Sequence, residues 1–336
     1  MCLRKRDATM PEENPKRACT EQDGDVSLPL KLYSETLQQD HKRLARMRIL
    51  GDTVARLNAM STDETEAIRN RGMSERPKRL DVEAKTALRI IVVERDTLDL
   101  AKEVFQTLGI APLVLNMANE TTPGGGYRSG SAAQEENLFR RSDLHFCFKP
   151  GDVCRDYAKP SRERYSRKME RLISGRFDEV YVSETPRICI RGSEEFENPS
   201  LGYRLYDDGE AFPFYEMRSA AFIVDNSPES EKAEARRRIR AQLNSARAAG
   251  HRVLVLSAFG CGAFGGTPKV VAKVYCEELK KHEDFFSLVA FGIFYAGWGA
   301  NNYDTFRDMF QDHFHSDTLR TGDTDFLDDA NRRSRN

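Results

Sequence analysis

Short apolar runs separated by segments of helical periodicity constrain this chain more than any other feature of it. "RIIVVERD" (Arg89–Asp96) reads as a buried strand. "DLAKEVFQTLG" then reads as an amphipathic helix that Gly109 can end in the left-handed conformation. "APLVLNMAN" (Ala111–Asn119) is a second strand, and "DEVYVSETPRICIRG", "AAFIVDN", "RVLVLSAFG" and "SLVAFGIFY" are four further strand candidates. Between them "SEKAEARRRIRAQLNSARAAG" predicts a long helix with Ala235, Ile239, Leu243 and Ala246 on one face. Strands that alternate with helices make a parallel or mixed sheet covered on both faces, an α/β fold. Ligands of such sheets bind in loops beyond the carboxyl ends of the strands.

The rest of the chain narrows the class. Its 336 residues, 39% of them hydrophobic, suffice for one sizeable core or two modest ones. Lysine and arginine total 52 against 53 acids, so no basic surface for DNA or for a membrane is expected. Seven cysteines without a CxxC pair predict neither a disulfide framework nor a zinc site, and point to a reducing, intracellular setting, cytoplasmic or nuclear. No apolar stretch reaches the roughly 18 residues of a membrane span, and no targeting signal is visible. Polar composition marks residues 1–27 and 316–336 as disordered tails around a folded unit at 28–315 that opens with a helical extension. A monomer is expected.

Two loops following strands carry the chemistry. In "AFGCGAFGGTPKVVAKVYCEEL", Gly260, Gly262, Gly265 and Gly266 lead to Thr267, a natural N-cap, and Pro268 at the first helical position. Val271, Val274, Tyr275 and Leu279 supply that helix's buried face. A glycine-rich turn feeding a helix N-terminus presents amides and a positive dipole end to an anion, with phosphate or diphosphate the candidate; a plain tight turn is the equal alternative. No GK[ST] follows, which excludes a P-loop, and the glycine spacing is wrong for a dinucleotide fingerprint.

The other loop is "TTPGGGYRSGSAAQEENLFRRSDL" (Thr121–Leu144). Ser131 and Gln134 have the spacing of a capping box, which starts a helix near Ala132 and places Glu135 and Glu136 in its first turn. Adjacent helical residues project about 100° apart, so one acid is expected to face a ligand while the other supports it. A glycine triplet lets backbone approach a ligand closely and aims its N–H groups there, which a surface turn does not need.

Gly124-Gly125-Gly126, seven residues, then Gln134-Glu135-Glu136 resembles the signature of microbial-type poly(ADP-ribose) glycohydrolases (PARG), built on an ADP-ribose-binding macrodomain. "LNMANETTPGGG", "LFRRSDL" and "LVLSAFGCGAFGG" are similar to the same family. Weaker similarity runs from "HKRLARMRILGDTVARLN" to "NYDTFRDMF". "GGTP" after Phe264 departs from the Asn-Pro more usual there.

The resemblance implies a macrodomain-like three-layer α/β/α sandwich with a mixed central sheet, and hydrolysis of ribose–ribose bonds to release ADP-ribose. It implies no cofactor or metal, and poly(ADP-ribose) or ADP-ribosylated protein as partner. Glu136 would be the general acid and base, and Glu135 would orient the leaving ribose. Asn119, Gly124, Gly125, Gly126 and Gln134 would hold ribose; Gly260, Gly262, Ala263 and Gly265 would hold diphosphate, and Phe264 would pack on ribose or the glycosidic region, with an ordinary core Phe as the alternative. Asp96 would receive the adenine amino group, although an Asp before "TLDLAK" is equally a helix cap. "GWGANNYDTF" is placed to close the pocket over the adenosine ribose, which favours attack from the free end of the polymer. A mono(ADP-ribosyl) hydrolase and a non-catalytic ADP-ribose reader share the pocket.

Other features read as structural. His313-x-His315 has metal-like spacing without further ligands, the arginines of "EARRRIRAQL" mark a wet helix face, Cys147 and Cys154 are core or loop thiols, and Trp298 packs in the core.

Overall fold

The computed structural model describes residues 27–71, 88–155, 163–195, 197–198, 200–207, 209–222, 227–295 and 301–322. Two units divide the chain, Met1–Asp40 and His41–Asn336. The described part of the first unit is the opening of helix α1 (Ser27–Ala59), and the sheet and both glycine loops belong to the second.

After α1 come α2 (Thr62–Asn70), β1 (Arg89–Val93), α3 (Thr97–Leu108), β2 (Leu113–Ala118) and α4 (Gln134–Arg141). A small hairpin, β3 (Val153–Arg155) and β4 (Glu163–Tyr165), precedes α5 (Arg167–Ile173), β5 (Tyr181–Val182), β6 (Arg187–Cys189) and β7 (Phe212–Ala220). The chain continues with α6 (Pro228–Ala248), β8 (Val253–Leu256), α7 (Pro268–Leu279), β9 (Leu288–Gly292), α8 (Asn302–His313) and β10 (Leu319–Thr321).

One sheet runs in the order β10-β1-β9-β8-β2-β7-β5, with β6 also on β7. The pairs from β10 to β7 are parallel, and β5 and β6 lie antiparallel to β7. This is the mixed α/β/α sandwich expected. Alternate residues of each strand enter different cores. Ile90, Val92, Leu113, Leu115, Leu254, Leu256, Val289 and Phe291 pack with α6, α7 and α8. Ile91, Val93, Val114, Val253, Val255 and Ala290 pack with α3 and with Leu138 and Phe139 of α4. Burial on both faces is why these strands read as continuous apolar runs.

Several local expectations hold. Gly109 caps α3 at φ 68°, and Ala235, Ile239, Leu243 and Ala246 are buried on α6. Pro268 opens α7, whose Val271, Val274, Tyr275 and Leu279 are buried.

Others are corrected. The strand expected at "AAFIVDN" lies upstream, in β7, and residues 223–226 are outside the described ones. Pro213, Glu216 and Arg218 disguise β7 as polar sequence. Inside, the Arg218 Nε donates to Glu216 at 2.8 Å, Arg187 adds a contact at 3.3 Å, and Asn116 of β2 donates at 2.9 Å, so the Glu216 carboxylate is buried against two arginines. The disordered tail expected from residue 316 does not include Leu319–Thr321, which pairs parallel with Ile90–Val92 at the sheet edge. Residues 1–26 and 323–336 of the two expected tails, and Trp298, lie outside the described residues. The arginine run is wet only in part: Arg238 is buried and its NH1 donates to the Ala220 carbonyl at the end of β7.

Candidate active site

Strands β2 and β8 are parallel neighbours in register, Leu113 opposite Leu254 and Val114 opposite Val255. Their C-terminal ends therefore emerge side by side at one edge of the sheet. The glycine-triplet loop follows β2 and the second glycine loop follows β8, so the two loops start from neighbouring strand ends.

In the first loop the amides are used differently from the sequence expectation. Gly124 N–H donates to Glu135 Oε1 at 3.1 Å, and Gly126 N–H donates to Glu136 Oε1 at 2.7 Å. Gly125 N–H closes a turn onto the Thr122 carbonyl at 2.9 Å. Two of the triplet's three N–H groups thus meet the carboxylates, and the third closes the turn. Gly125 sits between them at φ +55°, where an added Cβ would lie 2.5 Å from Glu136 Oε1 and 3.0 Å from Glu135 Oε2. Both acids lean onto the loop, in place of one facing outward and one sideways. Any side chain at Gly125 would displace them.

The acids differ in what remains free. Glu135 accepts from Gly124 through Oε1 and from Asn119 N–H through Oε2 at 2.7 Å, so both its oxygens are occupied. Glu136 spends only Oε1, and among the described residues its Oε2 makes no hydrogen bond. Glu136 is 7% exposed and Glu135 3%. Burial first and the adjoining Glu136 charge second push Glu135 well above the usual carboxylate range, against the pull of the Asn119 amide.

The helix carrying these acids starts without the expected capping box. Its N-cap is Ala133 and no side chain caps it. The Gln134 amide crosses to β2, donating to the Leu115 carbonyl at 2.7 Å and accepting from Met117 N–H at 2.9 Å. Gln134 therefore staples α4 to β2, the strand that leads into Asn119. Asn119 Oδ1 accepts from Thr121 N–H at 3.0 Å and Thr122 N–H at 2.8 Å, a turn role that leaves Nδ2 unbonded among the described residues.

In the second loop Gly266 N–H returns to the Gly260 carbonyl at 2.9 Å and Gly265 N–H to the Gly262 carbonyl at 3.0 Å. Among the described residues no hydrogen bond is made by the successive amides of Gly262, Ala263 and Phe264, and Gly262 and Ala263 are exposed. Phe264 is half-buried against the core beneath. Thr267 is the N-cap of α7, but its side chain does not cap: its N–H and Oγ1 both donate to Glu231 of α6, at 2.6 and 2.9 Å. Such unpaired amides at a turn suit an anion with several oxygens.

Asp96 takes the cap role. Its Oδ1 accepts from Leu98 and Asp99 N–H at 2.8 and 3.1 Å and receives a hydrogen bond from the buried Arg141. Five of the expected cysteines fall among the described residues, all of them free thiols. Part of "GWGANNYDTF", residues 297–300, lies outside the described residues; Asn301 caps α8 through Tyr303 N–H. The sequence reading missed Arg46, Glu194, Tyr203 and Glu231, whose signal lies only in their positions in space. Arg140 was visible as part of "LFRRSDL" but carried no role.

An open mixed sheet with two glycine loops at adjacent strand ends, one holding a carboxylate pair and one offering free amides, defines a macrodomain-type fold. Residues 36–174 match the family model described as microbial-type PARG, catalytic domain. A solved structure of poly(ADP-ribose) glycohydrolase from Thermomonospora curvata, bound to the inhibitor ADP-HPD, is 25% identical with a TM-score of 0.55, covering 79% of this chain and 99% of its own. A second structure of the enzyme from that organism is 24% identical with a TM-score of 0.56, covering 80% and 100%. No curated protein matches the chain.

Proposed function

We infer that the chain is a poly(ADP-ribose) glycohydrolase, hydrolysing ribose–ribose O-glycosidic bonds to release ADP-ribose. The observation that carries this reading is the inequality of the two acids: Glu135 has both oxygens on backbone amides, and Glu136 keeps Oε2 for a substrate.

Glu136 protonates the departing 2′-hydroxyl as an oxocarbenium-like centre forms, then takes a proton from the attacking water. A single carboxyl serves both steps, unlike the usual pair of opposed carboxyls, because the substrate's own diphosphate helps stabilise the cationic sugar. Burial and the adjoining Glu136 charge favour the protonated form of Glu135. Glu135, fixed on the Asn119 and Gly124 amides, orients the leaving ribose. Asn119 Nδ2 is available to the proximal ribose, and the Gly262, Ala263 and Phe264 amides to the diphosphate.

Balanced charge supports a protein without DNA contact, and cysteine usage supports an intracellular one, cytoplasmic or nuclear, acting as a monomer. No described helix is long and apolar enough to cross a membrane.

Incubating the protein with poly(ADP-ribose) and, separately, with singly modified protein tests the reading. Free ADP-ribose released from polymer is expected. Release only from singly modified protein would make it a mono(ADP-ribosyl) hydrolase, and binding without release would make it a reader.

A further inference from the structure

The segment joining the glycine triplet to the glutamates, residues 129–131, has its three carbonyls held by three arginines from two helices. Arg43 Nε of α1 donates to the Ser129 carbonyl at 3.2 Å, and Arg46 NH1 of α1 to the Gly130 carbonyl at 3.4 Å. Arg140 NH1 of α4 donates to the Ser131 carbonyl at 2.6 Å. Helix and loop touch backbone to backbone: a Cβ on Gly130, at φ +78°, would lie 2.3 Å from the Arg43 carbonyl oxygen. Only glycine admits this approach.

The arginines are joined behind the loop. Arg46 forks onto Glu194, with NH2 to Oε1 at 2.6 Å and Nε to Oε2 at 3.1 Å. The Tyr203 hydroxyl donates to Glu194 Oε2 at 2.8 Å and accepts from Arg140 Nε at 2.9 Å. Arg46, Arg140, Glu194 and Tyr203 are all buried, and Tyr203 is held at φ 51°, a conformation unusual for a residue of its size. Arg140 lies one helical turn after Glu136. The chain of contacts therefore runs from α1 through Glu194 and Tyr203 to the helix that carries the acids, and separately onto the loop whose amides hold them.

We propose that Arg46 is a positioning residue for Glu136: through Glu194, Tyr203 and Arg140 it fixes the loop and the start of α4, which makes residues 41–59 of α1 part of the catalytic apparatus. A general acid must sit within a few tenths of an ångström of its productive place, and a shift of about 1 Å costs on the order of 100-fold in rate. A solvent-exposed loop held only by its own turns would not meet that demand. Removing Arg46 alone would strand a buried Glu194 charge, so the informative variant is Arg46→Met/Glu194→Gln, which removes both charges of the ion pair together and leaves Arg140 its contacts to Tyr203 and Ser131.

Two readouts are needed, because the kinetic one rests on the glycohydrolase reading. The first is amide hydrogen exchange across residues 124–136, with residues 260–266 as internal reference. In the double variant, exchange at Gly124 and Gly126 should rise by about tenfold or more while the reference is unchanged. This outcome is independent of what the protein hydrolyses. The second is polymer turnover, where kcat should fall ~10- to 100-fold with KM within about threefold. Arg43→Ala removes an exposed contact without touching the buried charges. It should raise exchange in the same segment with Tm unchanged, and serves if the double variant does not fold. Unchanged exchange in 124–136 overturns the proposal, as does a double variant with lowered Tm but wild-type kcat. A wild-type protein inactive on polymer with the exchange effect present would sink the glycohydrolase reading and leave the brace standing.

Discussion

Gly126 donates its backbone N–H to Glu136 Oε1 at 2.7 Å, across ten residues of chain, and leaves Oε2 of the same carboxyl without a protein partner among the described residues. The loop holds the acid by one oxygen and presents the other. Four consequences can be measured.

Glu136→Gln keeps the size and the contact to Gly126 but cannot cycle a proton. Positioned acid–base groups are worth ~10²–10⁴-fold in rate. The variant should bind ADP-ribose as the wild type does, by calorimetry, while release from polymer falls by that factor. Wild-type turnover would remove Glu136 from the mechanism.

Gly125→Ala places a methyl 2.5 Å from Glu136 Oε1 at a φ of +55°. It should lower kcat more than Glu135→Gln does and cost about 1–2 kcal/mol of stability from the left-handed backbone alone. Denaturant unfolding and turnover on the same preparation check both, and a silent substitution would show that the acids need not rest on this glycine.

Gly262 faces open space and has no positive φ, so a larger residue there leaves the free protein intact. Gly262→Leu should nevertheless weaken ADP-ribose binding by about 1–3 kcal/mol, the scale of losing buried hydrogen bonds, with Tm unchanged. Unaltered affinity would move the diphosphate elsewhere.

Glu135 gains proton affinity on folding, so the folded state binds more protons than the unfolded one above the ordinary carboxylate pKa of about 4.3. Its contribution is fully present below that pH and is lost as pH rises through the raised folded value. Stability should therefore decline more steeply with pH in the wild type than in Glu135→Gln across that window. Parallel Tm–pH curves would show that Glu135 is not the group responsible.

Much of the site was legible because its determinants are local. Apolar runs of four to six residues marked β1, β2, β8 and β9, since a strand buried on both faces has no polar alternation to hide it. Gly109 and Pro268 ended and opened helices through their own backbone preferences. The order of the two glycine loops after two strands placed both at carboxyl ends, and the spacing of Gly124–Gly126 and Gln134–Glu136 carried the family resemblance.

The sequence alone could not assign the partners. Gln134 reads as a capping residue by spacing, yet its amide satisfies Leu115 and Met117 on a strand nearly twenty positions away, because α4 packs against β2. Glu216 and Arg218 made β7 look like surface until the sheet brought Arg187 and Asn116 beside them. Burial of a charge is settled by the charges that meet it, and those come from distant segments. The sequence by itself determined the layers, the two loops and the identity of the acids. Tertiary structure decided that the glycine amides hold the acids, that Glu136 keeps an oxygen free, and that Arg46 and Arg140 grip the loop between them. Hydrogen-bond directions between segments exist only once the sheet has set where each loop emerges.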